Sequence, residues 1–460
     1  MSPMSVLDFV VIGAGPAGEA ATHKARALGA SVAVVDRGWF GGSCPHIGCV
    51  PSKSLLHAAS VRAGGGDYPW SRASTRRDWM VNRLPDAQEP DDASHVRALE
   101  AAGATILRGD ARITAPGVVA VTHGGVAHEL RARNVVVAVG SISKVPPIEG
   151  IAETEPWTNR EATLVRDLPR SLLVLGGGPT GCELAQVYAR FGVPVTVVQS
   201  GPRVMPTEPE RNAETVRWAL ERDGVTIRTG ARAVRARAGA GSDGAHVVEL
   251  SDGSSAEGHA ILLAAGREIP LEGLGLEHYG VTVSGPDAYR RDGSLRLAEG
   301  LWAAGDPAGP ELHTHQAHYQ GELVIRMALG EDATPDYRAL PRATYTDPEA
   351  ASVGLDLPAA LTAGFDAFEC TAAFPGSSKG YSVEAETGHV TIVLDRARRE
   401  LVGASMACPD ASAAIHECVL AIKARVPIDV LADTIHAFPS TSRILNGLFA
   451  QAKAAIDSPT

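Results

Sequence analysis

Two stretches of this chain place three glycines between an apolar run and a helix, and this repeat limits the folds open to it more than any other feature. Residues 7–36 read LDFVVIGAGPAGEAATHKARALGASVAVVD. A strand is expected over Leu7–Ile12, then a turn through Gly13, Gly15 and Gly18, an alanine-rich helix, and a second strand over Val32–Val35 closed by Asp36. Each glycine has its own reason. Gly13 permits the tight turn, Gly15 lets the backbone approach a pyrophosphate, and Gly18 lets the helix pack on the strand. The helix N-terminus then turns its positive end to phosphate, and Asp36 can accept hydrogen bonds from a ribose. Residues 171–199, SLLVLGGGPTGCELAQVYARFGVPVTVVQ, repeat the pattern with Gly176, Gly178 and Gly181, a second strand over Val195–Val198, and Gln199 in the acidic position. Two such units point to two nucleotide cofactors, or to an internal duplication with one site lost.

Composition sets the outer limits. The chain has 460 residues, and at about 150 residues per domain that suggests three domains. Hydrophobic residues at 45% and charged residues at 21% exclude a mainly disordered chain. A formal charge of −11 without a basic stripe argues against nucleic acid or an anionic membrane surface as partner. No apolar run reaches the ~20 residues of a membrane span, and no basic segment precedes Leu7, so neither a span nor an ordinary cleaved signal peptide is expected. Six cysteines (Cys44, Cys49, Cys182, Cys370, Cys408 and Cys418) are too few for a secreted disulfide scaffold. A reducing cytoplasm is the expected setting, and there the one close pair, Cys44 and Cys49, reads as redox or metal chemistry.

Residues 62–95 are rich in Gly, Arg, Asp and Pro and are expected to form polar helices and loops without chemistry. A strand over Asn134–Ser141 follows, and PPIEG at 146–150 reads as a linker into the second glycine unit. Further strands are expected over Ala260–Ala265, before Gly266 and Arg267, and over Leu301–Ala304, before Gly305 and Asp306. Beyond residue 335 the alternation of HVTIVLD (389–395) and a helix-like run over 411–424 suggest an α+β unit without a nucleotide motif.

Geometry constrains the cysteine pair. Positions i and i+5 of a regular helix stand about 7.5 Å apart along the axis, whereas a disulfide needs Cα atoms within about 6.8 Å. Cys44 and Cys49 can therefore bond only where a helix is distorted or begins between them. Pro45 and Gly48 suit that irregular backbone, and Pro51 suits an early helical position. A thiol at such a helix start is expected to have a lowered pKa.

Residues 41–53, GGSCPHIGCVPSK, taken with both glycine turns, AVGS (138–141), LWAAGD (301–306) and YTDPEAASVG (345–354), resemble the FAD-dependent pyridine nucleotide–disulfide oxidoreductases. Dihydrolipoamide dehydrogenase, glutathione reductase and mercuric reductase belong to that family, and the resemblance covers essentially the whole chain. It implies an α/β fold of two Rossmann-like dinucleotide-binding domains and a C-terminal α+β dimerisation domain. The FAD domain would span 1–147 and 271–337, the NAD(P) domain 148–270 and the dimerisation domain 338–460, in a homodimer whose active site is shared between subunits. It implies FAD and NAD(P)H as cofactors, contacted by Gly13, Gly15, Gly18, Asp36, Gly42, Ser43, Ser141, Asp306, Gly176, Gly178, Gly181, Gln199, Gly266 and Arg267, with Asp306 against the flavin's ribityl chain. It implies a redox-active Cys44–Cys49 disulfide, with Cys49 beside the flavin and Cys44 facing the substrate. Lys53, near the flavin and paired with Glu183, would stabilise the negative charge of the reduced ring.

Several positions depart from the family pattern. Pro179 stands where many relatives have an aromatic gate over the flavin. Gln199 replaces the acidic residue that favours NADH; Arg203 lies four residues on, and the missing carboxylate leans the choice to NADPH while leaving NADH open. The largest departure is TIHAFPSTSR, 434–443: Phe438 and Arg443 occupy the places of the catalytic His-Glu dyad. Phe carries no proton and Arg is always charged, while a positioned acid–base group is worth about 10²–10⁴ in rate. His436, two residues earlier, is the available replacement base, although relatives carry that histidine in addition to the catalytic one. His313, His315 and His318 follow Asp306; their spacing matches no strong ligand motif, so a polar helix start is expected and no metal. Phe438-Pro439 and Cys49-Val50-Pro51 resemble mercuric reductases, whose soft metal substrate needs no thiol proton shuttle. Against that, Ser440 replaces a frequent tyrosine, and the AIDSPT end holds no vicinal cysteine pair.

The expected function is therefore an FAD-dependent NAD(P)H oxidoreductase that passes electrons to a small-molecule acceptor (a quinone, another electrophile or a metal ion) rather than to lipoamide or glutathione disulfide. Two alternatives stay open: a dithiol oxidase for a specialised metabolite, and a non-catalytic flavoprotein with vestigial cysteines.

Overall fold

The structure, a computed structural model, describes residues 6–241, 243–285 and 287–458; of the AIDSPT end, Pro459 and Thr460 lie outside them. The chain separates into two compact units. The first holds the residues up to Ser52 with Ser74–Lys144 and Arg267–Pro335; the second holds Lys53–Ala73, Val145–Gly266 and the chain from Asp336 onward.

In the first unit the glycine motif forms strand Leu7–Ile12, helix Pro16–Ala27 and strand Val32–Asp36. Val10, Val11, Ala33 and Val34 are fully buried, as the centre of a parallel sheet covered on both faces requires. The sheet order is Arg296–Ala298, Leu301–Ala303, Val126–Val137, Leu7–Ile12, Val32–Asp36, Thr105–Arg108. All neighbours in it are parallel except the first pair. The strand expected over Asn134–Ser141 in fact runs over Val126–Val137. Its first half pairs with an antiparallel extension, Asp110–Ala115 and Val118–His123, and carries exposed polar residues that hydropathy does not reveal. It ends before Gly140, whose φ of +64° breaks the extended backbone.

In the second unit Leu172–Leu175, helix Pro179–Arg190 and Val195–Gln199 repeat the glycine unit. They form a parallel sheet ordered Thr226–Thr229, Val195–Gln199, Leu172–Leu175, Ala260–Leu263. After Asp336 comes an antiparallel sheet ordered Pro341–Thr344, Glu349–Gly354, Glu400–Cys408, His389–Asp395, Ala367–Ala373. Its apolar face buries Ala351, Val390, Ile392 and Met406 with residues of helices Ala411–Ala424 and Ser442–Asp457. The other face sets Ser352, Ser405, Thr391 and Thr371 side by side across four strands. There Asn212, on helix Glu210–Arg222, donates to the Ala351 carbonyl at 3.1 Å, and its Oδ1 lies 3.0 Å from His389 Nε2. Residues 62–95 include helix Trp70–Met80, which buries Arg77 completely with Asp78 at 2.8 Å. Among the described residues no helix is long and apolar enough to cross a membrane.

His389 makes stability depend on pH. Burial, with help from the Arg211 charge, pushes its ring down to about 4. In the unfolded chain the ring titrates near 6.5, so between these values the unfolded state binds a proton that the folded state does not. The stabilisation from the neutral ring is full above about pH 6.5, and as much as about 3 kcal/mol of it is lost as pH falls toward 4. The thermal unfolding midpoint should drop between pH 7 and pH 5, and drop less in His389→Gln. Equal drops in both proteins would show that another group is responsible.

Candidate active site

The two glycine turns are near copies in detail. A Cβ on Gly18 would stand 1.9 Å from the Gly13 carbonyl oxygen, and one on Gly181 2.0 Å from that of Gly176. Only hydrogen fits at either contact, so each helix begins directly over the end of its strand. Gly15 and Gly178 cap these helices without a side chain, and Pro16 and Pro179 occupy the first turn, where a missing N–H costs least. A Cβ on Gly178 would meet nothing within 4 Å, so the backbone there is open to close approach by a phosphate. Asp36 Oδ2 accepts the Ala14 N–H at 2.6 Å and Oδ1 that of Gly38 at 2.7 Å; burial holds this carboxyl above its ordinary pKa. Gln199 reaches back in the same way, its Oε1 accepting the Gly177 N–H at 2.9 Å. Arg203 spends its guanidinium on the carbonyls of Met205, Pro206 and Glu208.

The helix breaks between the two cysteines. Ser43–His46 is one turn, and Cys49–Ala63 starts afresh at Cys49. Gly48 makes the junction tight, since a Cβ there would sit 2.9 Å from the Ser43 carbonyl oxygen and 3.2 Å from Cys44 Cα. Gly42 has a φ of +69° and approaches Gly15, where a Cβ on it would lie 2.7 Å from the Gly15 Cα. Its carbonyl is held by the His46 ring at 2.8 Å. The two cysteines are not joined in a disulfide here; Cys44 is half-buried and Cys49 exposed. A hydrogen bond donated to Cys49, then burial, push the Cys44 thiol strongly up, contrary to the lowering that a helix start alone predicts. When two adjoining thiols share one proton, the second is hard to remove. Cys49 opens the longer helix, whose positive end favours negative charge on a thiol there. Thr314, which opens helix Thr314–Ala328, places its hydroxyl 3.5 Å from Cys49 Sγ. Sequence reasoning overlooked this threonine; the only signal was a hydroxyl at a helix start soon after Asp306.

Asp306, Ser141 and Arg267 form a chain. Ser141 Oγ is hydrogen-bonded to Asp306 Oδ2, and Arg267 donates to the same hydroxyl at 2.6 Å and to the Ser141 carbonyl at 2.7 Å. Gly266 supplies a φ of +104° just before Arg267. In the second unit Lys53 Nζ lies 2.7 Å from Glu183 Oε2. Lys53 and Cys49 share helix Cys49–Ala63, one turn apart. His313 caps helix Thr314–Ala328, and its ring stacks on that of His315 at 5.1 Å. Among the described residues no three His, Cys, Asp or Glu side chains come together as a metal site.

In the 434–443 segment the His436 ring has a side-chain exposure of 5% and is bonded at both nitrogens, Nδ1 to the Thr434 carbonyl at 2.9 Å and Nε2 to Glu417 Oε1 at 2.6 Å. Phe438 is 70% exposed, and Arg443 is hydrogen-bonded to Asn446 Oδ1.

The Gly48 contact gives a direct test of how the thiols are brought together. Overpacking by one methyl costs about 1–3 kcal/mol, so Gly48→Ala should slow closure of the Cys44–Cys49 disulfide by about tenfold or more. Free-thiol titration after addition of a mild oxidant measures this, with bound flavin content as the control for folding. Unchanged closure would show that the junction does not set the spacing.

A family model described as pyridine nucleotide-disulphide oxidoreductase matches residues 7–321, and the corresponding dimerisation-domain model matches 340–447. The chain is 32% identical over 452 residues to the dihydrolipoyl dehydrogenase of Chlorobaculum tepidum, covering 95% of this chain and 94% of that one. It is also 32% identical over 472 residues to that of Thermus scotoductus, covering 98% of each. Among solved structures, the Cu(II) complex of the HOCl-induced flavoprotein disulfide reductase RclA from Escherichia coli matches with a TM-score of 0.85 and 25% identity, over 97% of this chain and 100% of that one. LpdA from Mycobacterium tuberculosis matches with a TM-score of 0.86 and 26% identity, over 97% and 99%. The chain belongs to the pyridine nucleotide–disulfide oxidoreductases and is an FAD-dependent enzyme of that family.

Proposed function

We propose that this enzyme takes electrons from NAD(P)H, with a lean to NADPH, and passes them, through FAD and the Cys44–Cys49 pair, to an acceptor that needs no protein base: a quinone, another electrophilic small molecule or a metal ion. The observation that carries this reading is the 434–443 segment. Phe438 stands where disulfide reductases of the family hold a histidine, Arg443 is hydrogen-bonded to Asn446, and the His436 ring is buried with its two nitrogens turned to the Thr434 carbonyl and Glu417 rather than to an acceptor. The structural relative RclA, seen as a Cu(II) complex in both its parent and mutant forms, supports keeping a metal ion among the acceptors.

FAD, when bound, supplies the two-electron relay between pyridine nucleotide and thiols. The chain's own part is positioning and charge. The turns at Gly13–Gly18 and Gly176–Gly181 expose helix starts to the two pyrophosphates, and Asp36 serves the ribose of FAD. The Ser141–Asp306–Arg267 chain aligns polar groups for the cofactor, and Lys53 places a cation for reduced flavin. Cys49 carries the thiolate while Cys44 keeps the proton and meets the acceptor. In this reading the FAD domain is 1–147 with 271–337, the NAD(P) domain 148–270 and the dimerisation domain 338–460. The exposed Ile435 (97%), Phe438 and Leu420 of the last domain support a homodimer. Six cysteines without a scaffold pattern support a cytoplasmic setting.

Anaerobic stopped-flow mixing tests the acceptor. NADPH should bleach the flavin rapidly, while lipoamide and glutathione disulfide turn over at least about 10² more slowly than a quinone or metal ion. Rapid turnover of either disulfide overturns the reading. The coenzyme preference has its own test. Gln199 holds the Gly177 N–H as a carboxylate would, but without the charge that repels a 2′-phosphate. Gln199→Glu should keep the turn and shift the ratio of kcat/KM for NADPH over NADH toward NADH by about tenfold, the size of one added like-charge repulsion of about 1.4 kcal/mol. An unchanged ratio would show that this position does not read the phosphate.

A further inference from the structure

We propose that Tyr345 is a positioning residue that sets the Lys53 ammonium in place for the flavin; this deepens the reading above and rests on its assignment of Lys53. Glu183 is buried, with 6% of its side chain exposed, and each of its oxygens has a different partner. Oε2 takes the Lys53 ammonium, and Oε1 accepts the backbone N–H of Tyr345 at 2.9 Å. The tyrosine ring lies against the same ammonium, with Nζ 4.6 Å from its centroid. One residue thus supplies two constraints, an N–H that orients the carboxylate and a ring face that holds the cation.

The Tyr345 backbone is itself anchored along helix Pro179–Arg190. Two residues on, the Asp347 N–H donates to Gln186 Oε1 at 2.7 Å, its carbonyl accepts from Gln186 Nε2 at 3.0 Å, and its carboxylate takes Arg190 Nη1 at 2.8 Å. Glu183, Gln186 and Arg190 fall at i, i+3 and i+7, on one face of that helix. The segment is therefore pinned at several points on the helix that begins at the second glycine turn. A lysine ammonium is a compact charge on a flexible four-carbon stem, and one carboxylate oxygen alone does not fix its direction. A ring face adds an electrostatic attraction that the phenol hydroxyl does not alter much, so phenylalanine should serve as well as tyrosine.

The test compares FAD-loaded wild type, Lys53→Met, Tyr345→Ala and Tyr345→Phe, reading the flavin midpoint potential by equilibrium dye titration from pH 6 to pH 9, with KM for NADPH measured alongside. Lys53→Met should displace the flavin reduction equilibrium toward the oxidised form. Tyr345→Ala should displace it the same way by several-fold with little change in KM, and Tyr345→Phe should keep the wild-type potential. If Lys53→Met shifts the potential and Tyr345→Ala does not, the positioning role is wrong while the Lys53 assignment stands. An equal shift in Tyr345→Phe also overturns it, since the hydroxyl would then be the active part. If Lys53→Met itself leaves the potential unchanged, the underlying assignment falls, and the inference with it.

Discussion

Both glycine turns of this fold depend on a contact with no room for a methyl group. In each glycine unit the helix starts so close over the strand that the third glycine touches the carbonyl of the first, where a Cβ would stand about 2 Å away. The contact aims the unpaired N–H groups of the helix start past the end of the sheet. It also lets the last residue of the next strand reach the turn, as Asp36 does to Ala14 and Gln199 to Gly177. The two units thus share one geometry and differ in one charge. That single difference, carboxylate against amide, distinguishes the two turns at equivalent places.

The thiol pair relies on a similar economy of atoms. Cys44 and Cys49 are too far apart along a continuous helix, and the chain brings them together by ending one helical turn and starting a new helix across Gly48. Restarting the helix at Cys49 also gives the two thiols different surroundings. The new helix offers its positive end to Cys49, while Cys44, hydrogen-bonded to Cys49 and half-buried, is pushed well above the ordinary thiol range. Lys53, one turn on, forms an ion pair with Glu183 whose value lies in placement. Burying such a pair contributes little to stability, because desolvation offsets much of the attraction.

Much of this was legible in the chain. The glycine spacings, the apolar strands and the CPHIGC segment all depend on local backbone requirements, which leave a local trace. The structure corrected readings wherever the determinant was not local. Strand Val126–Val137 begins eight residues before its apolar run, because its first half pairs with a polar antiparallel extension. The Cys44 thiol is raised rather than lowered, because its partner thiol and its burial outweigh the helix start. Thr314 and Tyr345 carry no motif of their own and matter only for what they touch, Cys49 Sγ in one case and Lys53 with Glu183 in the other.

By itself the sequence determined the two nucleotide-binding turns and the close spacing of Cys44 and Cys49. Steric and covalent rules act on neighbours along the chain, so residue identity and spacing are enough to state them. Tertiary structure alone decided that the Cys44 thiol is pushed up, that His436 is tied to Glu417, and that Glu183 is held between Lys53 and the Tyr345 backbone. Those outcomes are set by burial and by partners tens to hundreds of residues away. A proton or a charge settles where its surroundings make it cheapest, and spacing along the chain carries no record of them.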